Sequence, residues 1–283
     1  MPGHDFGEVA ERLRRVTVQV HAGRGQRGSG SGVIWSEDGL IVTNAHVART
    51  DRPRIELWDG REFEADVIAR DGRRDVASLK IGARSLPAAT AGDSSALRPG
   101  ELVMAVGNPL GFVGALTTGV VHAIGPMRGA GRQSWVQAAV RLAPGNSGGP
   151  LADARGRVIG LNTMIVAGGL ALAVPSNAVA EFLRRGSSGV TLGVTVRPVL
   201  LEDRRSLALL VLQVDPKSAA DAASLLIGDL LLGANGRRFE SVDDLADAID
   251  SADAILTLQF LRGDRTKERE VAVRLRERGV QAA

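Results

Sequence analysis

The most constraining feature of the 283-residue sequence is a succession of short β-like runs between residues 16 and 182. Glycine and turn residues interrupt these runs every few positions, as in GVIW, GLIVTNA and LVMAVG. Many short strands with glycine-rich turns are typical of a β-sandwich or β-barrel domain. The series ends in SNAVAEFLRR, residues 176–185, where apolar residues at helical spacing behind a Ser176 cap predict one terminal helix.

A different pattern begins after the stretch GSSG, residues 186–189, which has the composition of a linker. Strand-like and helix-like runs alternate beyond it, and the acidic run SVDDLADAIDS predicts a helix. This second part has the size of one ordinary domain. We therefore expect two domains, residues 1–187 and 188–283, the first mainly β and the second a smaller α/β module.

Composition excludes several classes of protein. The sequence pI is about 10.1, but the formal net charge is only +3 and no basic stripe is interleaved with aromatic residues, so we expect no nucleic-acid binding. The absence of cysteine excludes disulfides and cysteine-type zinc sites. The four histidines show neither the H-E-x-x-H pattern nor close pairing, and nothing in the sequence calls for a metal or a cofactor.

The glycine pattern at residues 23–28 matches G-x-G-x-x-G, but a dinucleotide site requires a helix directly after it. Another strand-like run, SGSGVIW, follows instead, so we interpret the segment as a β-turn loop.

The N-terminal residues carry charge throughout and contain no apolar run of signal-peptide length. The sequence as written predicts a cytoplasmic protein, and an extracytoplasmic one if a signal or anchor has been trimmed from it.

The stretch PGNSGGPL, residues 144–151, contains a candidate nucleophile, Ser147. It satisfies both the G-x-S-x-G pattern of a nucleophile elbow and the glycine-flanked serine of a chymotrypsin-type protease. Elbow hydrolases supply their partners in the order serine, acid, histidine, and no histidine follows Ser147. The opposite order, histidine then aspartate then serine, is available.

His46 is the best candidate base because it follows an apolar strand, GLIVTNA, at a polar turn where an imidazole can be exposed. Asp75 is the best candidate acid because it precedes an apolar strand, VASLKI, that could bury its carboxylate against the imidazole. Asp59 in a W-D-G turn and Asp93 before SSAL have simpler explanations, as a turn residue and a helix cap. The sequence thus predicts a His46, Asp75 and Ser147 triad.

Four ordered blocks resemble the HtrA (Deg) family of trypsin-like serine proteases: TNAHV at 43–47, DVASL at 75–79, GNPLG at 107–111 and PGNSGGPL at 144–151. The resemblance extends over nearly the whole chain. It implies a chymotrypsin-like double β-barrel with six strands in each barrel and a catalytic cleft between them. It also implies an endopeptidase that cuts unfolded or damaged proteins without a cofactor.

The same resemblance implies an oxyanion hole at Gly145, Asn146 and Ser147, formed by backbone N–H groups. Asn146 stands where digestive relatives carry an aspartate, so activation by a newly cut N-terminus is not expected. Arg141 and Leu142 occupy positions near the S1 pocket, and Arg141 departs from the small apolar residue usual in the family. We expect Leu142 to line an apolar pocket for small aliphatic P1 residues, with Arg141 directed to solvent or to an internal acid.

Residues 189–283 resemble the PDZ domain of the family, which binds peptide C-termini by adding them as a strand. Leu192, Gly193 and Val194 would hold the peptide carboxylate. Ser224 and Ile227 replace residues that are usually Gly and Pro, so this match is looser, and a module that only packs on the protease is the alternative.

Two function classes stay open. One is an active serine endopeptidase, and the other is a catalytically resting or inactive protease-like chaperone or peptide-binding module. The family commonly forms trimers through aromatic N-terminal residues. In this sequence Phe6 is the one aromatic residue before the first strand-like run. We expect a homotrimer, with a monomer as the alternative.

Overall fold

The computed structural model describes residues 6–21, 29–109, 112–127, 133–166, 169–185, 192–201, 206–241, 243–252, 254–263 and 267–275. The chain divides into two compact units, residues 1–187 and 188–283. Three sequence features lie outside the described ranges: the glycine pattern at 23–28, the end of the GNPLG block at 110–111, and the predicted linker at 186–189. Within those ranges no helix combines the length and the apolar character needed to cross a membrane.

The first unit is built mainly from strands, with a helix near each end. Its elements are α1 (Phe6–Val16), β1 (Thr17–His21), β2 (Ser29–Ile34), β3 (Leu40–Thr43), β4 (Arg54–Glu56), β5 (Glu62–Glu64), β6 (Asp66–Asp71), β7 (Val76–Lys80), β8 (Leu102–Gly107), β9 (Ala115–Pro126), β10 (Ser134–Ala138), β11 (Pro150–Asp153), β12 (Val158–Ile165), β13 (Ala171–Pro175) and α2 (Ser176–Arg185).

Two antiparallel sheets form this unit. The first has the strand order β5-β4-β1-β2-β3-β7-β6, and the second closes into a barrel in the order β10-β13-β12-β11-β8-β9. The expected mainly β, trypsin-like architecture is confirmed, and the second barrel has the six strands predicted. In the first sheet, β5 and β6 are separated only by Ala65. The stretch 62–71 pairs with β4 through β5 and with β7 through β6, so it joins the two ends of the strand order.

Alternating apolar residues give each sheet its own core. One cluster lies in the first sheet and includes Val18, Val20, Ile34, Ile41, Ile55 and Leu79. A second lies in the barrel and includes Val103, Val121, Val136, Leu151 and Ile159. A third cluster combines Val33 and Val42 of the first sheet with Met104, Val106 and Leu161 of the barrel. Because this shared core joins the two sheets, residues at the ends of their strands are brought to one interface.

Helix α1 was not predicted from the sequence, although its apolar residues recur at helical spacing. Val9, Leu13 and Val16 are buried, and Val9 and Leu13 belong to the core shared by the two sheets. On the solvent side, hydrogen bonds from Arg14 and Arg15 lower the pKa of Glu11 to about 2. The helix was not predicted because it is short and charged residues interrupt its apolar spacing.

Helix α2 confirms the terminal helix predicted at residues 176–185. Its first turn is held from outside, because Ser94 Oγ accepts the N–H of Asn177 at 3.1 Å. The hydroxyl of Ser176, the predicted cap, donates instead to the Gly92 carbonyl at 2.7 Å.

The described residues of the second unit form a six-stranded sheet and two short helices. Its elements are β14 (Val194–Leu200), β15 (Leu207–Val214), α3 (Ala219–Ala222), β16 (Leu230–Ala234), β17 (Arg237–Arg238), α4 (Asp243–Ser251), β18 (Ile255–Leu261) and β19 (Glu268–Arg274). The strand order is β14-β15-β16-β18-β19, with β17 paired to β16, so β14 lies at an edge. A separate core under this sheet includes Leu209, Leu231, Leu256 and Leu258.

Candidate functional site

His46 and Asp75 meet at neighbouring strand ends of the first sheet. His46 lies in the turn after β3 and Asp75 directly precedes β7, and these two strands are paired. The Nδ1 atom of His46 lies 2.8 Å and 2.9 Å from the two carboxylate oxygens of Asp75, and Asp75 Oδ1 also accepts the backbone N–H of His46 at 3.0 Å. The Asp75 side chain is 15% exposed and that of His46 is 42% exposed. The carboxylate thus fixes the ring through Nδ1, while Nε2 has no hydrogen-bond partner among the described residues.

Asp75 adopts a left-handed backbone conformation, with φ of 55°, that is uncommon for a residue other than glycine. Fully buried Asn44 secures it, because its Nδ2 donates to the Asp75 carbonyl at 2.8 Å. The same Nδ2 donates to Thr163 Oγ1 at 2.9 Å, on strand β12 of the barrel. Asn44 therefore ties the acid to the opposite sheet. Sequence reasoning missed this role, and its only signal was a polar residue within the apolar strand end next to His46.

The other two aspartates considered as acids have the structural roles predicted for them. Asp59 closes its turn by accepting the backbone N–H of Arg61 at 3.2 Å. Asp93 caps a short 3-10 helix by accepting the N–H of Ser95 at 2.9 Å.

The backbone before Ser147 forms a tight turn from Ala143 to Asn146. The N–H of Asn146 donates to the Ala143 carbonyl at 3.0 Å, and Gly145 has φ of 107°. A positive φ at the third position is the requirement of a type II turn, and proline is common at the second. An added Cβ on Gly145 would lie 2.8 Å from the carbonyl oxygen of Asn108, so only glycine fits.

This turn leaves two backbone donors next to the serine hydroxyl. Within the described part of the chain, the N–H groups of Gly145 and Ser147 have no hydrogen-bond acceptor. The N–H of Asn146 is occupied by the turn itself. Of the three residues expected in the oxyanion hole, Gly145 and Ser147 therefore offer free donors, and Asn146 shapes the turn between them.

The hydroxyl of Ser147 points to the barrel strand that follows it. Its Oγ donates to the Thr163 carbonyl at 2.8 Å, and no hydrogen bond joins Ser147 to His46 among the described residues. The Ser147 hydroxyl is thus held by strand β12 of the barrel in this structure.

Gly148 holds the serine loop against the first sheet. Its N–H donates to the Asn162 carbonyl at 2.7 Å, and its φ is 85°. A Cβ at this position would overlap the Ser31 carbonyl oxygen and Thr43 Oγ1.

We expect Gly148→Ala to lower the free energy of unfolding by about 2–4 kcal/mol, because backbone strain and steric overlap add together. Thermal unfolding followed by circular dichroism measures this change. Gly60→Ala is the matched control, since Gly60 has φ of 83° with no atom within 4 Å of an added Cβ. Its cost is only the conformational strain of about 1 kcal/mol. Equal melting temperatures of the two variants would contradict the overlap at Gly148.

The two residues expected near the S1 pocket have different surroundings. The Arg141 side chain is exposed, while its carbonyl accepts the hydroxyl of Thr117 at 2.8 Å. Leu142 is half-buried and packs against the barrel core. The structure therefore places the Arg141 charge in solvent and an apolar side chain beside the turn that precedes Ser147.

In the second unit, Leu192, Gly193 and Val194 form the approach to edge strand β14. Leu192 is buried in the core of this unit and Gly193 has φ of 74°. Their carbonyls accept N–H groups from Ala220 and Asp215, each at 2.9 Å. Neither Leu192 nor Gly193 donates its N–H to an acceptor in the residues that the structure describes. The loop thus presents unused donors at the start of an exposed sheet edge.

Comparison with known proteins agrees with this geometry. Residues 30–161 match the trypsin-like peptidase domain family, and residues 210–262 match the PDZ domain family. The chain is 35% identical over 259 residues to serine protease HTRA1B of Danio rerio, covering 80% of this chain and 54% of that relative. It is 39% identical over 236 residues to a probable periplasmic serine endoprotease, DegP-like, of Halomonas elongata, covering 76% of this chain and 49% of that relative.

Two solved structures are similar over nearly their full length. An HtrA-type protease, AlgW, solved with a tripeptide, has a TM-score of 0.67 at 26% identity, with 97% of this chain and 98% of that chain covered. A serine endoprotease from Yersinia pestis has a TM-score of 0.69 at 25% identity, again with 97% and 98% covered. The chain spans about half the length of the curated relatives it matches. By these matches, together with the trypsin-like and PDZ folds, the chain belongs to the HtrA family of serine proteases.

Proposed function

We propose that this chain is a serine endopeptidase in which Ser147 is the nucleophile, His46 the general base and Asp75 the residue that orients the base. The observation that carries the proposal is the His46–Asp75 pair, in which Nδ1 lies 2.8 and 2.9 Å from the carboxylate oxygens. The free N–H donors of Gly145 and Ser147, in the turn at the nucleophile, support it. Residues 1–187 form the protease domain in this proposal and residues 188–283 the PDZ domain. Hydrolysis of unfolded casein by the wild-type chain tests the activity directly.

In the reaction, Ser147 first exchanges its hydrogen bond with the Thr163 carbonyl for one with His46 Nε2, and a single hydrogen bond of this kind contributes about 1 kcal/mol. Ser147 Oγ then attacks the peptide carbonyl carbon as its proton passes to Nε2. The resulting oxyanion accepts hydrogen bonds from the N–H groups of Gly145 and Ser147. His46 returns the proton to the leaving amine, and water completes the cycle by releasing the acyl group from the serine.

Asp75 supports each proton transfer without moving. Its carboxylate accepts a hydrogen bond from Nδ1–H and leaves the lone pair on Nε2 free to act as the base. It also stabilises the imidazolium that forms. Because Asp75 additionally holds the His46 backbone N–H at 3.0 Å, both the ring and its attachment point are fixed.

For substrates, we propose extended segments of unfolded or damaged proteins, with a small aliphatic P1 side chain beside Leu142. Half-buried Leu142 supports an apolar pocket, and the exposed position of Arg141 keeps its charge out of it. A homotrimer stays a prediction, and Phe6, which is exposed at the start of α1, is available for such a contact.

We also propose that the PDZ domain binds peptide C-termini in a groove between edge strand β14 and helix α4. Val194 and Val196 on β14 and Ala248 and Ile249 on α4 are partly buried apolar residues around one core. The unused N–H donors of Leu192 and Gly193 lie at the entrance to this strand, where a carboxylate would end a peptide added to the sheet.

We expect a peptide with an apolar C-terminal residue and a free carboxylate to bind the full chain at least about 10-fold more tightly than its carboxamide. The carboxamide loses charge-assisted hydrogen bonds worth about 1.5–3 kcal/mol. Fluorescence anisotropy of the labelled peptide pair with the Ser147→Ala chain measures the difference without cleavage. Equal affinity of the two peptides would show that the PDZ domain does not bind the C-terminal carboxylate specifically.

The Ser147 hydroxyl bound to the Thr163 carbonyl favours a second candidate, a resting protease-like module that holds unfolded chains without cutting them. Turnover of casein by the wild-type chain distinguishes the two. Suppressed aggregation of a denatured protein with no cleavage products would support the resting module.

A further inference from the structure

Ser31, on strand β2 of the first sheet, makes an unusual set of contacts for a residue outside the proposed triad. It is 0% exposed. Its Oγ donates to the Gly145 carbonyl at 2.7 Å and accepts the N–H of Asn108 at 2.9 Å. Its own N–H donates to the Ser147 carbonyl at 2.8 Å, and its carbonyl accepts the hydroxyl of Thr43 at 2.6 Å. Three of these four contacts therefore reach the half of the unit that contains the nucleophile.

The direction of each hydrogen bond at the Ser31 hydroxyl is determined by chemistry. The N–H of Asn108 can only donate, so Ser31 Oγ accepts there. The single hydroxyl proton is then left for the Gly145 carbonyl, which can only accept. A side chain without both functions leaves a buried N–H or a buried carbonyl without a partner.

The two carbonyls that Ser31 holds lie on either side of Asn146. Ser31 anchors the Gly145 carbonyl through its side chain and the Ser147 carbonyl through its backbone. The Gly145 carbonyl belongs to the peptide that follows the Gly145 N–H, and the Ser147 carbonyl to the peptide that follows the Ser147 N–H. Ser31 therefore fixes the peptide plane next to each free donor. Glycine adopts positive and negative φ with similar ease, so the residue type alone does not hold Gly145 at φ of 107°.

We propose that Ser31 is a positioning residue for the oxyanion-binding turn, acting from the opposite sheet through the Gly145 carbonyl. This inference rests on the proposed function, because positioning is meaningful only if the turn serves catalysis. Its effect is confined to the stage at which negative charge develops on the substrate oxygen.

The test compares Ser31→Ala with Ser176→Ala in the full chain. Ser176 is a matched control, since it is 2% exposed and its Oγ donates to the Gly92 carbonyl at the same distance of 2.7 Å, away from the site. We expect Ser31→Ala to lower kcat for a peptide substrate about 10- to 100-fold, with KM changed less than about threefold. Ser176→Ala keeps the wild-type kcat. Affinity for a peptidyl boronic acid, whose adduct carries the oxyanion, falls in parallel with kcat/KM in Ser31→Ala.

Thermal unfolding of each variant separates positioning from stability. If Ser31→Ala does not fold, Ser31→Cys takes its place, because the thiol keeps the shape of the side chain but bonds weakly. A folded Ser31→Ala or Ser31→Cys with wild-type kcat and boronate affinity would overturn the positioning role while leaving the protease intact. A parallel rise in KM would also overturn it, since the loss would then lie in substrate binding. A wild-type chain without turnover would overturn the proposed function and this inference together.

Discussion

Replacement of Ser147 by alanine is expected to lower kcat for casein and for short peptides by about 10⁴- to 10⁶-fold. The nucleophile is removed, and the oxyanion donors alone give only a small residual rate. The folded state loses just one hydrogen bond, from Ser147 Oγ to the Thr163 carbonyl, so the melting temperature should change by no more than roughly 2–4 °C. Release of acid-soluble casein fragments and a calorimetric scan of the same samples measure both quantities.

Ser134→Ala provides the control for this experiment, because Ser134 is an exposed serine of the same unit at the start of β10. It should retain wild-type activity. Equal rates of casein hydrolysis by the wild-type chain and Ser147→Ala would contradict the assignment of Ser147 as the nucleophile. Complete loss of activity in both Ser147→Ala and Ser134→Ala would also contradict a specific role of Ser147.

Replacement of Asp75 by asparagine is expected to lower kcat by about 10⁴-fold while the fold is retained. The asparagine amide oxygen would accept the His46 backbone N–H, as Asp75 Oδ1 does at 3.0 Å. Its NH2 group would then face Nδ1 and donate to it. That arrangement places the ring proton on Nε2, where the proton of Ser147 must be accepted. The loss therefore arises from the wrong tautomer of His46.

Asp59→Asn and Asp93→Asn make this test specific, because each changes an aspartate to asparagine at a position with a structural role only. Asparagine is as good a cap as aspartate and is accepted in turns, so both variants should stay within about twofold of the wild-type rate. A large loss in either variant, or none in Asp75→Asn, would contradict the choice of the acid. The peptide assay at saturating substrate measures kcat for all three.

Much of the fold could be predicted from the sequence because its signals are local. Apolar alternation and glycine turns identified the strands, and the absence of a histidine after Ser147 excluded the elbow hydrolases. Chain order and the neighbouring strand and turn patterns selected His46 and Asp75, and the structure brings these two side chains within hydrogen-bonding distance.

The contacts that arrange the site could not be predicted, because they join residues far apart in sequence. Ser31 and Gly145 are separated by 114 positions, and Asn44 and Thr163 by 119. Ser31 lies in a glycine-serine stretch that resembles a flexible loop, yet it is a buried part of strand β2. The resting position of the Ser147 hydroxyl likewise depends on a carbonyl of β12, whose location only the closed barrel determines.

The bonds from Asn44 and Ser31 to the barrel also govern when activity can first arise during synthesis. A ribosome releases the segment with His46 and Asp75 well before the one with Ser147 and Thr163, and each segment lacks what the other supplies. Cleavage competence should therefore begin only after β12 has been made and docked on the first sheet. Under the proposed function, a chain without β12 has no assembled site, so the division of the site between two sheets delays proteolysis until folding of this unit is complete.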